Sequence, residues 1–126
     1  MGAISIHSLF FFVSDLERSK AFYRDLLGIE PVQRSPNLAS FDIAGVELML
    51  HADGDVPRVP PESQRGEGVA LHIQVQGIHE LWERLHGLGI PLAERPTQQP
   101  YGFIEFAVHD PDGYEVEFVE PSQPPS

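Results

Sequence analysis

Cysteine is absent from all 126 residues, which removes a disulfide framework, a thiolate metal site and a cysteine nucleophile together. Basic residues are scarce: 8 Lys and Arg face 19 Asp and Glu, for a formal net charge of −11. That balance disfavours nucleic acid, because phosphate binding is driven by Lys and Arg displacing counterions. It is compatible with a cationic small ligand. Long apolar runs are missing too, since no stretch approaches the roughly 18 residues of a membrane-spanning helix. The start, "MGAISIHSLFFFV", has no basic region of the signal-peptide kind, and Ile6 stands where a myristoylation pattern wants Ser or Thr. These absences predict a cytoplasmic protein with no membrane partner. No Ser-His-Asp arrangement stands out, and "GEG" at Gly66 lacks the strand-before, helix-after setting of a nucleotide fingerprint.

What is present is a core. A hydrophobic fraction of 41% and eight Phe support a packed globule. A chain of this length makes one domain and buries roughly two-thirds of its unfolded surface. Within it, the Pro-, Gly- and charge-rich "HADGDVPRVPPESQRGEG" marks a linker, placed at 53–67, and "PSQPPS" predicts a frayed tail over 121–126.

The same order of elements is written on both sides of the linker. "ISIHSLFFFV" reads as a buried strand, and "SDLERSKAFYRDLLG" as a helix. Ser14 or Asp15 would cap that helix, Glu17 would close a capping box, and Gly28 suits a left-handed end. Leu16, Lys20, Tyr23, Leu26 and Leu27 form its inward stripe. Strands follow near Pro31–Gln33, in "LASFDI" and in "VELMLH", with a tight turn at Ala44-Gly45. The second half answers with "GVALHIQV", the helix "GIHELWERLHGLG", and strands "IPLAER", "GFIEFAVH" and "YEVEFVE". A repeat period of about 61 residues implies two pseudo-equivalent βαβββ modules, about 4–52 and 68–120, in an α+β fold with curved mixed sheets.

In "VSDLERSKAFYRDLLG", "GVALHIQVQGIHELWERLHGLGI" and "PYGFIEFAVHDPDGYEVEF" the chain resembles the vicinal-oxygen-chelate superfamily, which includes glyoxalase I, bleomycin-resistance proteins, fosfomycin-resistance enzymes and extradiol dioxygenases. The resemblance covers Ile4 to Glu120 and is nearest the bleomycin-resistance-like branch. It implies the glyoxalase/bleomycin resistance/dihydroxybiphenyl dioxygenase fold, a cup formed by the sheets, and a homodimer. It also implies a divalent metal held at fixed strand positions of both modules. Those positions fall on Ser8, about Met49, Ala70 and Glu117. Only Glu117 offers a ligand suited to a hard cation, and catalytic sites need about three protein ligands. The expectation is therefore no metal, no cofactor and no catalytic residue.

The resemblance then implies a small-molecule groove at the module or dimer interface, lined by Phe10, Phe12, Met49, His72, Gln74, Tyr101, Phe103, Glu115 and Glu117. An aromatic or cationic compound would stack there over an acidic wall, as in antibiotic resistance by sequestration. The blander reading makes Phe10 and Phe12 core, Trp82 packing, His72 a hydrogen-bonded polar residue, and Glu117 a solvated carboxylate of a half-exposed sheet. Arg58 and Arg65 read as solvated linker residues, and "DPDG" as a plain turn. The alternative function is a metal-dependent lyase, isomerase or dioxygenase, which would combine Glu117 with off-position histidines, His72, His51 or His7 turned inward by a bulge.

Overall fold

The computed structural model describes residues 2–53 and 64–122. Its elements run β1 (Ser8–Val13), α1 (Leu16–Leu27), β2 (Val32–Ser35), β3 (Leu38–Ile43), β4 (Val46–Ala52), β5 (Ala70–Gln74), α2 (Ile78–Gly87), β6 (Thr97–Gln98), β7 (Phe103–His109) and β8 (Glu115–Pro121). The order βαβββ occurs twice, and the chain divides into two compact units, Met1–Pro61 and Glu62–Ser126. Each unit has a four-stranded mixed sheet, ordered β1-β4-β3-β2 in the first and β5-β8-β7-β6 in the second. The first strand of each unit lies parallel to its last, and the remaining pairs are antiparallel. Among the described residues, no helix is long and apolar enough to cross a membrane.

In the first unit, alternation along the strands sends Phe11, Val13, Ala39, Phe41, Leu48 and Leu50 into the core. Helix α1 covers this face with Leu16, Ser19, Tyr23 and Leu26, and the Tyr23 ring lies 6.2 Å from Phe41 and 6.5 Å from Phe11. Burying each large side chain contributes about 1.5–3 kcal/mol. Asp15 is the N-cap, its carboxylate accepting the Arg18 N–H at 3.1 Å. Gly28 ends the helix at φ 68°, a conformation glycine adopts without a Cβ clash. Glu17 pairs with Lys20 at 3.1 Å, so it serves the helix surface and leaves the capping to Asp15. Strand β1 begins at Ser8 rather than at Ile4, because β4 offers pairing partners only from Glu47 onward. Ile4 and Ile6 are left 92% and 74% exposed.

In the second unit, Phe106, Val108, Val116 and Phe118 form the buried sheet face, and Ile78, Trp82 and Leu85 of α2 are buried with them. Helix α2 starts at Gly77, which has no capping side chain. Glu120 supplies the cap instead, its two carboxylate oxygens accepting the N–H groups of Gly77 and Ile78 at 3.0 and 2.9 Å. The expected strand "IPLAER" does not form. Pro91 and Pro96 break any ladder, and the segment packs on α2 instead. There the Trp82 indole donates to the Glu94 carbonyl at 2.9 Å, and the Arg95 guanidinium lies 4.3 Å from the Trp82 ring.

Two further expectations are corrected. Arg65 is not solvated: its guanidinium meets Asp112 at 2.9 Å, with side-chain exposures of 5% and 0%. Nor does the chain fray at Pro121, which pairs with Phe103, and the Ser122 N–H donates to the Gly102 carbonyl at 2.9 Å. Residues 54–63, including Arg58, and 123–126 lie outside the described residues.

The Arg65–Asp112 pair ties the turn after the linker to the "DPDG" hairpin. In that hairpin the Asp110 carboxylate accepts the N–H groups of Asp112 and Tyr114, each at 2.9 Å. Gly66 fits beside it because a Cβ there would stand 2.9 Å from both the Gly113 carbonyl oxygen and the Tyr114 Cα. Removing one partner of a buried ion pair strands the other charge, at a cost of about 3–5 kcal/mol. Arg65→Ala is therefore expected to lower the urea unfolding midpoint far more than Arg24→Ala, whose pair with Glu30 is exposed. Equal midpoints for the two variants would remove this role from Arg65.

Candidate functional site

Because neighbouring strands pair in register, the open face of each sheet is fixed as firmly as its buried face. In the second unit, Ala70, His72 and Gln74 of β5 stand opposite Glu115, Glu117 and Val119 of β8. Those residues in turn stand opposite His109, Ala107 and Glu105 of β7, and Thr97 of β6 follows Glu105. One face thus carries two imidazoles, an amide and three carboxylates. His72 Nε2 lies 2.5 Å from Glu117 Oε2. Tyr101, in the turn before β7, donates its hydroxyl hydrogen bond to Glu105. The Tyr101 and Phe103 rings are 6.1 Å apart. A pocket of about 160 Å³ opens beside Glu105, Ala107 and Glu117, with Ala93, Thr97 and Gln99 as part of its wall.

The charges on this face perturb one another. Burial raises the Glu117 carboxyl above its ordinary range, the His72 charge lowers it, and the neighbouring Glu105 and Glu115 raise it again. The net direction is upward. The hydrogen bond to Glu105 is the main cause that pushes the Tyr101 phenol up to about 12, and burial and the charges of Glu105 and Glu117 add to it. The other face shows the opposite effect, since the N–H groups of Ile78 and Gly77 hold the Glu120 carboxyl below its ordinary range.

The corresponding open face of the first sheet is aromatic. Ser8, Phe10 and Phe12 stand opposite Glu47, Met49 and His51. The rings of Phe10, Phe12 and His51 lie pairwise 5.4–5.9 Å apart. Arg34 reaches across this sheet to Ser40 Oγ at 3.0 Å and to Glu47 at 2.5 Å. His7 precedes β1, 77% exposed at the side chain and 3.9 Å from Glu47.

The nine residues expected to bind ligand therefore fall into two groups. Phe10, Phe12 and Met49 share the open face of the first sheet. His72, Gln74, Glu115 and Glu117 share that of the second, with Phe103 on the adjoining β7 and Tyr101 just before it. At the metal positions implied by the resemblance, a hydroxyl, a thioether and a methyl stand at Ser8, Met49 and Ala70. A divalent metal does not fit that donor set. Among the described residues, the group of three able to hold an ion is His72, Glu105 and Glu117, whose ligand atoms all lie within 4.8 Å of one another. Glu105 is the functional candidate that the sequence reading missed. The signal was there: the "DPDG" hairpin sets Ala107 opposite Glu117, and alternation then places Glu105 on the same face.

Residues 5–118 match the Glyoxalase/Bleomycin resistance protein/Dioxygenase superfamily, and the chain belongs to it. It is 29% identical over 118 residues to the metallothiol transferase FosB of Lysinibacillus sphaericus, covering 94% of this chain and 83% of that protein. It is 28% identical over 106 residues to the phenazine antibiotic resistance protein EhpR of Enterobacter agglomerans, covering 82% and 81%. Among solved structures, a glyoxalase/bleomycin resistance protein/dioxygenase from Nocardioides superposes with a TM-score of 0.81 at 25% identity, over 100% of this chain and 89% of that one.

Two carboxyls on one strand should titrate on opposite sides of the ordinary value of 4.5, Glu117 above it and Glu120 below. For Glu120, whose folded value is lowered, the stabilisation is present above the unfolded value and lost as pH falls through the folded one. For Glu117 the sign reverses, and ionisation costs stability as pH rises through its raised value. Side-chain NMR titration reads both, and a Glu117 midpoint at or below that of Glu120 would contradict the arrangement.

Proposed function

We propose that the chain is a binding protein of this superfamily that sequesters a planar, aromatic, positively charged small molecule, without bond chemistry and without a metal at the positions the superfamily favours. The supporting observation is the open face of the second sheet, where Tyr101 and Phe103 edge a floor containing Glu105, Glu115 and Glu117. Aromatic faces attract cations and stack on flat rings, and the carboxylates supply charge complementarity. The Phe10–Phe12–His51 cluster offers a second stacking surface, with Met49 as a pliable neighbour. The antibiotic-resistance naming of EhpR is in keeping with this reading. A homodimer is part of the proposal, supported by exposed apolar side chains such as Ile4, Ile6 and Val69.

The chemistry left to this chain's residues is recognition. The raised Glu117 carboxyl must be ionised to hold a cation, so affinity is expected to fall on acidification at a pH above the ordinary glutamate range. A panel of cationic and neutral planar dyes, titrated by fluorescence, tests the proposal. Glu117→Gln should weaken the cationic members roughly 10-fold, about 1.4 kcal/mol, and leave the neutral ones unchanged. If the variant binds cationic dyes as the parent does, or if no planar compound binds at all, the reading fails.

A further inference from the structure

We propose that the open face of the first sheet receives a planar aromatic carboxylate, with Arg34 holding the carboxylate and the Phe10, Phe12 and His51 rings stacking on the flat remainder. This goes beyond the sequestration reading and does not rest on it. It concerns the other unit, and its ligand carries the opposite charge.

The observation that carries it is the way Arg34 is mounted. Along β2 and β3, Val32 pairs with Ser40 and Gln33 with Ala39, but Ser35 then pairs with Leu38. Arg34 is thus the extra residue of a bulge, and a bulge re-aims its side chain. The side chain crosses the open face, where Nε donates to Ser40 Oγ at 3.0 Å and Nη2 to Glu47 Oε1 at 2.5 Å. Ser40 is buried, so the guanidinium is pinned to a fixed point of the sheet. These bonds use two of the five N–H groups of an arginine. Among the described residues nothing accepts the other three, which include both on Nη1. A guanidinium end with parallel donors matches the two oxygens of a carboxylate.

The surroundings select the rest of the ligand. Ser40 is the Cα partner of Met49, and Met49 of Phe10, so one row of the sheet runs from the Arg34 anchor to the aromatic cluster. Strands lie about 4.8 Å apart, which puts the two ends of that row about 10 Å from each other, within the span of a fused-ring compound. The Phe10, Phe12 and His51 centroids are 5.4–5.9 Å apart, and Phe10 is 42% exposed. Flat rings stack on such a cluster, with the Met49 thioether as an adaptable floor between it and the guanidinium. Charge sets the size of the anion. Glu47 touches Arg34 and is the Cα partner of Asp42. A monocarboxylate fits the one free guanidinium end, whereas a dianion would face both of those carboxylates.

The test compares 2-naphthoate with 2-naphthamide, which keeps the rings and removes the charge, by calorimetry on the full-length chain at low salt. Saturable naphthoate binding is expected, roughly 10-fold tighter than naphthamide. Arg34→Gln should remove that preference and leave naphthamide binding as it was, while Phe10→Ala weakens both compounds. Glu47→Gln separates an anion site from a purely structural ion pair. It keeps an acceptor for Nη2 but removes a competing charge, so naphthoate should bind more tightly. Arg24→Gln, on the exposed surface of α1, should change neither affinity. Circular dichroism of each variant keeps misfolding apart from ligand loss. Absence of saturable naphthoate binding, equal affinity for the two compounds, an affinity unchanged in Arg34→Gln, or weaker binding in Glu47→Gln overturns the inference. Cationic dyes and Glu117→Gln read the other unit, so failure of the sequestration reading leaves this result standing.

Discussion

Every polar side chain on the open face of the second sheet is placed by an apolar requirement. Phe106, Val108, Val116 and Phe118 must leave water. The period of two along a strand then sends Glu105, Ala107, Glu115 and Glu117 to the opposite side. A slip of one residue in β8 would bury two carboxylates and expose two core side chains, a change comparable with the whole net stability of a domain. The carboxylates are thus held in position by residues they never touch. The hairpin end adds rigidity, because the Arg65–Asp112 ion pair and the Asp110 turn bonds fix where β7 hands over to β8.

The same scaffold, written twice, carries two chemistries. The parallel pairing of β1 with β4 is repeated in β5 with β8, so that Phe10↔Met49 corresponds to His72↔Glu117 and Phe12↔His51 to Gln74↔Val119. On the first sheet these positions form a ring cluster, and on the second an imidazole–carboxylate pair. Nothing in the core demands either choice. Helices α1 and α2 cover equivalent faces but start differently, one capped by its own Asp15 and the other by Glu120 from the last strand of its sheet. In the second unit the strand that carries Glu117 on one side therefore fixes the helix on the other.

Sequence periodicity was enough to read the fold because burial is a property of runs. The two βαβββ orders, a cap at Ser14 or Asp15, the helix end at Gly28 and the inward Tyr23 all follow from local pattern; the structure selects Asp15. The failures have physical causes. Ile4 and Ile6 look like strand, but a strand needs a partner, and β4 provides none that far. "IPLAER" alternates suitably, yet Pro91 within it, Pro96 after it and the Trp82 contacts outweigh the pattern. Arg65 looked like a solvated loop residue because its partner, Asp112, is distant in sequence.

The site was less legible than the fold for a related reason. Residues on an open sheet face contribute little to stability, so a hydroxyl, a thioether or a methyl can stand at Ser8, Met49 and Ala70 without cost to folding. The scaffold therefore does not dictate whether a metal is bound, or where. What could be read was the position of Glu117, since the "DPDG" turn fixes the start of β8. What could not be read from β8 alone was the company that carboxylate keeps. That depends on the pairing of three strands, which brings His72 from one side and Glu105 from the other. A carboxylate in a period-two strand is ordinarily a solvated one. With an imidazole at 2.5 Å and a second, nearly buried carboxylate beside it, Glu117 belongs to a constellation that only the pairing of the three strands assembles.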